Sequence, residues 1–139
     1  MRPIKIFNPD HRMYPVIKAC LAKKALLITE GGITSNSHQI VIQDKNLEIH
    51  GLSTCIQYLD DKYPHPPFFP IEPEKRAVIR MMVNELIAQP NKITFYSEQI
   101  PHKGFFSGET PSILDIFLYA LAPNDDAWRD FKRLVDKSR

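Results

Sequence analysis

The chain reads as an α/β protein: a first half with a mixed four-stranded sheet and two helices, then a reduced all-helical half. Three observations predict this. Short strand-like runs stand at Ile4–Phe7, Ala25–Thr29, Gln39–Gln43 and Leu47–His50. Apolar residues recur at helical spacing between and after them, as at Leu52, Cys55, Ile56, Leu59 and Tyr63, which share one helical face. Four prolines, Pro64, Pro66, Pro67 and Pro70, then break the pattern, because each fixes φ and lacks an N–H.

Ile4-Lys5-Ile6-Phe7 is a short strand, and Asn8-Pro9-Asp10 has turn chemistry. Met13, Ile17, Cys20 and Leu21 share a face, with Pro15 near the start, so a helix is expected over about 13–24. The apolar run Ala25–Thr29 suits a strand covered on both sides. Gly31-Gly32 and Ser35-Asn36-Ser37 mark a loop. Gln39–Gln43 and Leu47–His50 pair as a hairpin about Asp44-Lys45-Asn46. A helix follows over about 52–62. Strand, helix, strand, hairpin, helix is the order of a thioredoxin-like half.

The prolines from Pro64 to Pro70 should form a semi-rigid, mostly extended strap, since each also pushes its predecessor toward extended geometry. The division expected is therefore 1–63 as the thioredoxin-like domain, 64–71 as linker and 72–139 as a shortened helical domain. Glu72-Pro73 restarts a helix that runs to about residue 88, with Val78, Ile79, Met82, Val83 and Leu86 as its apolar stripe. Ile93, Phe95, Tyr96 and Ile100 belong to a short helix or an irregular packed segment. Ser112 and Asp115 make an S-x-x-D capping box ahead of an apolar helix that stops at Pro123. Asn124 or Asp125 caps a last helix with Trp128, Phe131 and Val135 inward.

The composition is globular: 139 residues, 43% apolar, with 18 basic against 16 acidic side chains. A net charge of +2 supplies no strong field for a nucleic-acid backbone, so no direct nucleic-acid binding is expected. No apolar run is long enough to span a bilayer, no signal pattern opens the chain, and a cytoplasmic location is expected. Cys20 and Cys55 lie far apart on apolar faces and read as buried thiols. The five histidines show no metal spacing, and no glycine-rich phosphate loop precedes a helix, so neither metal nor cofactor is expected. Asp60 and Asp61 read as solvated acids near a helix end, and Phe68-Phe69 as core.

The stretch YLDDKYPHPPFFPIEPEKRAVIR resembles the junction between the two halves of a glutathione S-transferase fold. Its first ten residues, YLDDKYPHPP, resemble the stringent starvation protein A branch of that superfamily, and FFSGETPSILDIFLYALAP is similar to the capping-box helix of transferase C-terminal domains. The branch implies a regulator that binds RNA polymerase holoenzyme through a Pro-His-Pro surface, matched here by Pro64, His65 and Pro66. It also implies a homodimer, or a heterodimer with a related transferase-fold protein.

For a transferase the resemblance implies a hydroxyl or thiol near the start of the first helix, a cis-proline before the third strand and a glutamate-serine pair at the start of the third helix. Asp10 to Tyr14 holds no serine or cysteine; His11 stands about where omega-type enzymes keep cysteine, and Tyr14 is the hydroxyl nearby. Ile40 replaces the cis-proline, and a non-proline cis bond costs about 2.5–4 kcal/mol, so a trans bond is expected. Gly51-Leu52 replaces glutamate-serine, with Ser53 one residue late. Eight residues, Glu30 to Ser37, leave no room for the usual helix between the second and third strands. The expectation is thus a non-enzymatic regulator. The alternatives are a glutathione-binding or transferase enzyme using Tyr14 or Ser53, and a structural subunit of a heterodimer.

Overall fold

The computed structural model describes residues 3–34, 38–93 and 112–121. The chain divides into two compact units, Met1–Pro66 and Pro67–Arg139.

In the first unit, strand β1 (Ile4–Phe7) leads through a turn to helix α1 (Tyr14–Lys23) and strand β2 (Ile28–Gly32). The hairpin β3 (Val41–Asp44) and β4 (Leu47–His50) comes next, then helix α2 (Leu52–Lys62). The sheet order is β2-β1-β3-β4, with β1 and β2 parallel and the other pairs antiparallel. This is the mixed four-stranded sheet of a thioredoxin-like unit. Alternation along β1 sends Ile4 and Ile6 inward and Lys5 outward. They join Val16, Ile17, Cys20 and Leu21 of α1 and Cys55, Ile56 and Leu59 of α2, all buried, as two amphipathic helices packed on a sheet require.

Strand register fixes which residues share the end of the sheet. Phe7 pairs with Gly32 on one side and Val41 on the other, and Val41 pairs with His50. These four residues form one row across the sheet. Beyond it lie Asn8, Ile33, Ile40 and Gly51, and from that same end the chain enters α1 and α2.

The second strand departs from the sequence expectation. It covers Ile28–Gly32 rather than Ala25–Thr29, and it is an edge strand with Thr29, Glu30 and Gly32 exposed, not one covered on both faces. The turn that closes α1 takes Ala25 and Leu26. Ala25 N–H donates to the Ala22 carbonyl at 3.0 Å and Leu26 N–H to the Leu21 carbonyl at 3.0 Å, with Ala25 at φ 57°. That is a Schellman closure, with alanine where glycine is usual. Gly31-Gly32 therefore lies in the strand and not in a loop. A Cβ on Gly31 would sit 2.6 Å from the Phe7 ring and 2.8 Å from Lys5 Cγ, so the close approach of β2 to β1 needs glycine. The link between β2 and β3 is Ile33–Ile40, again eight residues.

In the second unit, helix α3 (Pro73–Ala88) starts with Pro73 in its first turn, and a 3₁₀ turn stands at Pro90–Lys92. Helix α4 (Ile113–Leu121) is the capping-box helix. The Asp115 carboxylate accepts from Ser112 N–H at 2.7 Å and from the Ser112 hydroxyl at 3.1 Å. Ile113 N–H donates to the Phe68 carbonyl at 2.8 Å, tying the strap to the start of α4. Phe68 and Phe69 are buried, and the Arg76 and Arg80 guanidinium groups lie 5.7 and 5.4 Å from the Phe69 ring centre. The buried stripe of α3 is narrower than its spacing predicts: Ile79, Val83 and Leu86 are inside, while Val78 is 49% exposed. The expectations for Phe95, Tyr96 and Ile100 and for the helix carrying Trp128, Phe131 and Val135 fall outside the described residues.

Candidate functional site

The end of the sheet beyond the Phe7–Gly32–Val41–His50 row gathers the polar groups with the most specific geometry. Asn8 leaves β1 at φ 60°, a left-handed conformation that asparagine tolerates. It is 5% exposed. Its Nδ2 donates to the Gln39 carbonyl at 2.6 Å and its Oδ1 accepts from Thr34 N–H at 2.9 Å. Its backbone N–H donates to the Gly32 carbonyl at 2.7 Å. One buried side chain thus ties the exit of β2 to the entry of β3. The next carbonyl, that of Ile40, accepts from Gly51 N–H at 2.8 Å.

Gly51 at φ 92° then turns the chain into α2, which has no side-chain cap. The amides of Leu52, Ser53 and Thr54 have no intrahelical acceptor, as in any helix start. Ser53 is half-buried, and its hydroxyl accepts from Gln57 Nε2 at 3.3 Å. A Cβ on Gly51 would lie 3.7 Å from Gln39 Oε1, which puts the Gln39 amide beside the helix start.

Helix α1 begins at the same end. His11 N–H donates to the Asn8 carbonyl at 3.0 Å, and His11 Nδ1 accepts from Met13 N–H at 2.9 Å. An accepting Nδ1 leaves Nε2 as the N–H of the neutral ring. Tyr14 opens the helix but is only 7% exposed, and its hydroxyl donates to Glu30 Oε1 at 3.1 Å. Burial, and then Glu30, push the Tyr14 phenol above its usual range. The structure therefore brings Ser53 to this end of the sheet with Gln39 and Ile40, while the Tyr14 hydroxyl is engaged by β2. The Gln39–Ile40 bond is trans.

Pro64, His65 and Pro66 are exposed on the corner after α2, and both flanks of that corner are anchored. Tyr63 OH donates to Asp44 Oδ2 at 3.0 Å, and the same oxygen accepts from Tyr58 OH at 2.6 Å and Lys62 Nζ at 2.7 Å. On the other side Lys24 Nζ donates to the Pro66 carbonyl at 2.6 Å and to Asp60 Oδ1 at 2.9 Å. Asp60 is accordingly not a solvated acid: it pairs with a buried lysine, because α1 and α2 pack side by side and a lone buried ammonium is not tolerated. Sequence reasoning misses Asn8, Lys24 and Asp44; only the asparagine at a strand end, a residue suited to left-handed turns, carries a usable signal.

Cys20 and Cys55 are buried free thiols. Burial pushes both up, Cys55 to about 12. Among the described residues no group of histidine, cysteine and acidic side chains could hold a metal ion, and no helix is long and apolar enough to cross a membrane.

The fold and this end of the sheet define a glutathione S-transferase-type architecture. Solved structures share it. A Burkholderia glutathione transferase homologue with bound glutathione superposes with a TM-score of 0.69 at 18% identity, over 99% of this chain and 91% of that one. A glutathione S-transferase from Rhodospirillum rubrum gives 0.72 at 15% identity, over 98% and 88%. Maleylacetoacetate isomerase from Anaeromyxobacter dehalogenans, with dicarboxyethyl glutathione and citrate in its active site, gives 0.63 at 14% identity, over 98% and 89%. No protein-family model and no curated protein matches the chain.

At these identities the likeness establishes the fold. It also corrects the leading functional expectation. A non-enzymatic regulator acting on RNA polymerase is not what these neighbours are described as; they are a glutathione transferase homologue, a glutathione S-transferase and an isomerase, with glutathione or a derivative in the two ligand-bound cases. The expected loss of the site rests on side chains at a few positions. This end of the sheet is largely a backbone arrangement, which those side chains do not report.

Proposed function

We propose that this protein binds glutathione, or a closely related γ-glutamyl peptide, at the sheet end where α1 and α2 begin, and that it is a glutathione-dependent transferase. The observation that carries the reading is the start of α2. Gly51 turns the chain so that three uncapped amides, the Ser53 hydroxyl and the Gln39 amide stand together. Such a helix start carries partial positive charge and free donors, and it suits a carboxylate. The bound solved structures of the same fold add support, since glutathione or its derivative is the ligand there.

His11 is the group we assign to the thiol. Its Nε2–H donates to the sulfur and favours the thiolate, whose proton leaves to solvent. The sulfur then forms a bond to an electrophilic carbon, and the leaving group departs with the displaced electron pair. Tyr14 is the weaker candidate, since its hydroxyl is spent on Glu30. The finer kinship with the stringent starvation protein A branch rests on Tyr58 to Pro67 and is a kinship of sequence within the fold.

The test is thermal unfolding with millimolar reduced glutathione, alongside conjugation of an electrophilic chloronitrobenzene. Binding raises Tm by mass action. Ser53→Ala weakens that rise, His11→Ala lowers conjugation while leaving binding, and Tyr14→Phe leaves conjugation unchanged. A wild type that shows no Tm rise and no conjugation would overturn the reading.

A further inference from the structure

We infer that two copies of this chain join edge to edge through β2, as an antiparallel strand pair with its two-fold axis at Thr29. This does not rest on the glutathione reading. Strand β2 ends the sheet, and among the described residues no strand lies on its outer side. The Leu27 carbonyl accepts from Ile4 N–H at 2.9 Å. Along a ladder the main-chain groups of successive residues turn alternately to either side. Thr29 therefore turns its N–H and C=O to β1, and Ile28 and Glu30 turn theirs out. The outward set ends there: after the shift of register between Ile6 and Phe7, the Gly32 carbonyl is held by Asn8 N–H at 2.7 Å.

Unpaired edge groups of this kind invite a further strand, and the spacing of this set selects a second copy. With Thr29 opposite Thr29, Ile28 of each chain faces Glu30 of the other, and the two exchange both of their N–H···O bonds. The charges agree. Each Glu30 meets an isoleucine and not a second carboxylate, and its Oε1 is held by Tyr14 OH at 3.1 Å. A pair centred on Glu30 fails twice: it sets like charges opposite each other, and it matches Ile28 with Gly32, whose carbonyl is already taken.

The side chains fit the same register. Leu27, 57% exposed, comes opposite Gly31 of the second copy, beside the half-buried Phe7 ring that lies against that glycine. Thr29 is exposed, and threonine pairs across antiparallel strands are favourable. A strand pair this short buries less than the roughly 1,200 Å² of a standard interface, so the dimer is reversible and depends on concentration.

The experiment is sedimentation equilibrium of the whole chain from micromolar to millimolar concentration, for the wild type, Thr29→Lys and Thr29→Cys. The wild type should pass from one chain to two across that range. Thr29→Lys sets two ammonium groups opposite each other and should stay a single chain, with its circular dichroism unchanged. In Thr29→Cys the paired Cα atoms stand about 4.5 Å apart, within reach of a disulfide. Mild oxidation should then give a covalent dimer, which the wild type, with Cys20 and Cys55 buried, does not give. A wild type that stays single at millimolar concentration overturns the inference and leaves the edge to a strand of another protein. A dimer that Thr29→Lys leaves intact overturns it too, by placing the interface elsewhere, as does a Thr29→Cys protein that gives no covalent dimer. Should Thr29→Lys not fold, the cross-link of Thr29→Cys decides alone.

Discussion

Lys24 Nζ lies 2.9 Å from the Asp60 carboxylate, with the lysine side chain fully buried and that of the aspartate 9% exposed. The same ammonium donates to the Pro66 carbonyl at 2.6 Å. One buried cation thereby joins the end of α1, the last turns of α2 and the proline corner. Removing one partner of such a pair strands the other, at about 3–5 kcal/mol. Lys24→Met and Asp60→Leu should each destabilise on that scale in urea unfolding. The double variant should lose less than the sum of the two, and strictly additive losses would show that the pair is not coupled.

Asp44 should make folding sensitive to acid. Burial alone would raise its carboxyl, but hydrogen bonds from Lys62, Tyr58 and Tyr63 outweigh that and hold it below its ordinary 3.8. A depressed folded-state pKa adds stability that is fully present above the unfolded value and disappears as pH falls through the folded one. The wild type should therefore lose stability progressively below about pH 4. Asp44→Asn should be weaker at neutral pH, with a flatter profile over the acid range. Parallel profiles for the two proteins would rule out this origin.

Ala25 sits at φ 57° and is exposed at the Schellman position after α1. A left-handed alanine costs roughly 1–2 kcal/mol, and glycine's extra unfolded-state entropy returns part of that. Ala25→Gly should stabilise by about 0.5–1 kcal/mol, raising Tm by roughly 2–4 °C. A fall in Tm would mean that Ala25 makes a contact worth more than the strain.

Cys20 and Cys55 should be silent toward thiol reagents. Both are buried and raised, Cys55 to about 12 and Cys20 further, so almost no thiolate exists at pH 8. Titration with a disulfide reagent should show no native thiols and two after denaturant. Fast labelling of the native protein would place one of them at an open surface.

Much of the fold is legible along the chain. Helices over 13–24, 52–62 and 73–88 are expected from spacing, and the structure has them at Tyr14–Lys23, Leu52–Lys62 and Pro73–Ala88. The periodicity is strong, and Pro15 and Pro73 mark two of the starts. The hairpin at Lys45-Asn46 comes from its turn residues. The second strand lies further along than its apolar run suggests because Ala25 and Leu26 are apolar for another reason: they close α1 and feed the core.

The site is less legible, and the cause is physical. Side-chain motifs can be read in order, and the missing serine, proline and glutamate argue against glutathione. The backbone arrangement at the end of the sheet, from which glutathione binding is proposed, has no motif. By itself the sequence determined most of the strand runs, the helices that cover the sheet and the proline corner after α2, because these depend on residues close together in the chain. Only the tertiary structure decided that Lys24 would meet Asp60, that Tyr14 would be spent on Glu30, and that Asn8 would hold the Gln39 carbonyl. Each depends on sheet register and helix docking, which bring groups 16 to 36 residues apart within a few ångström.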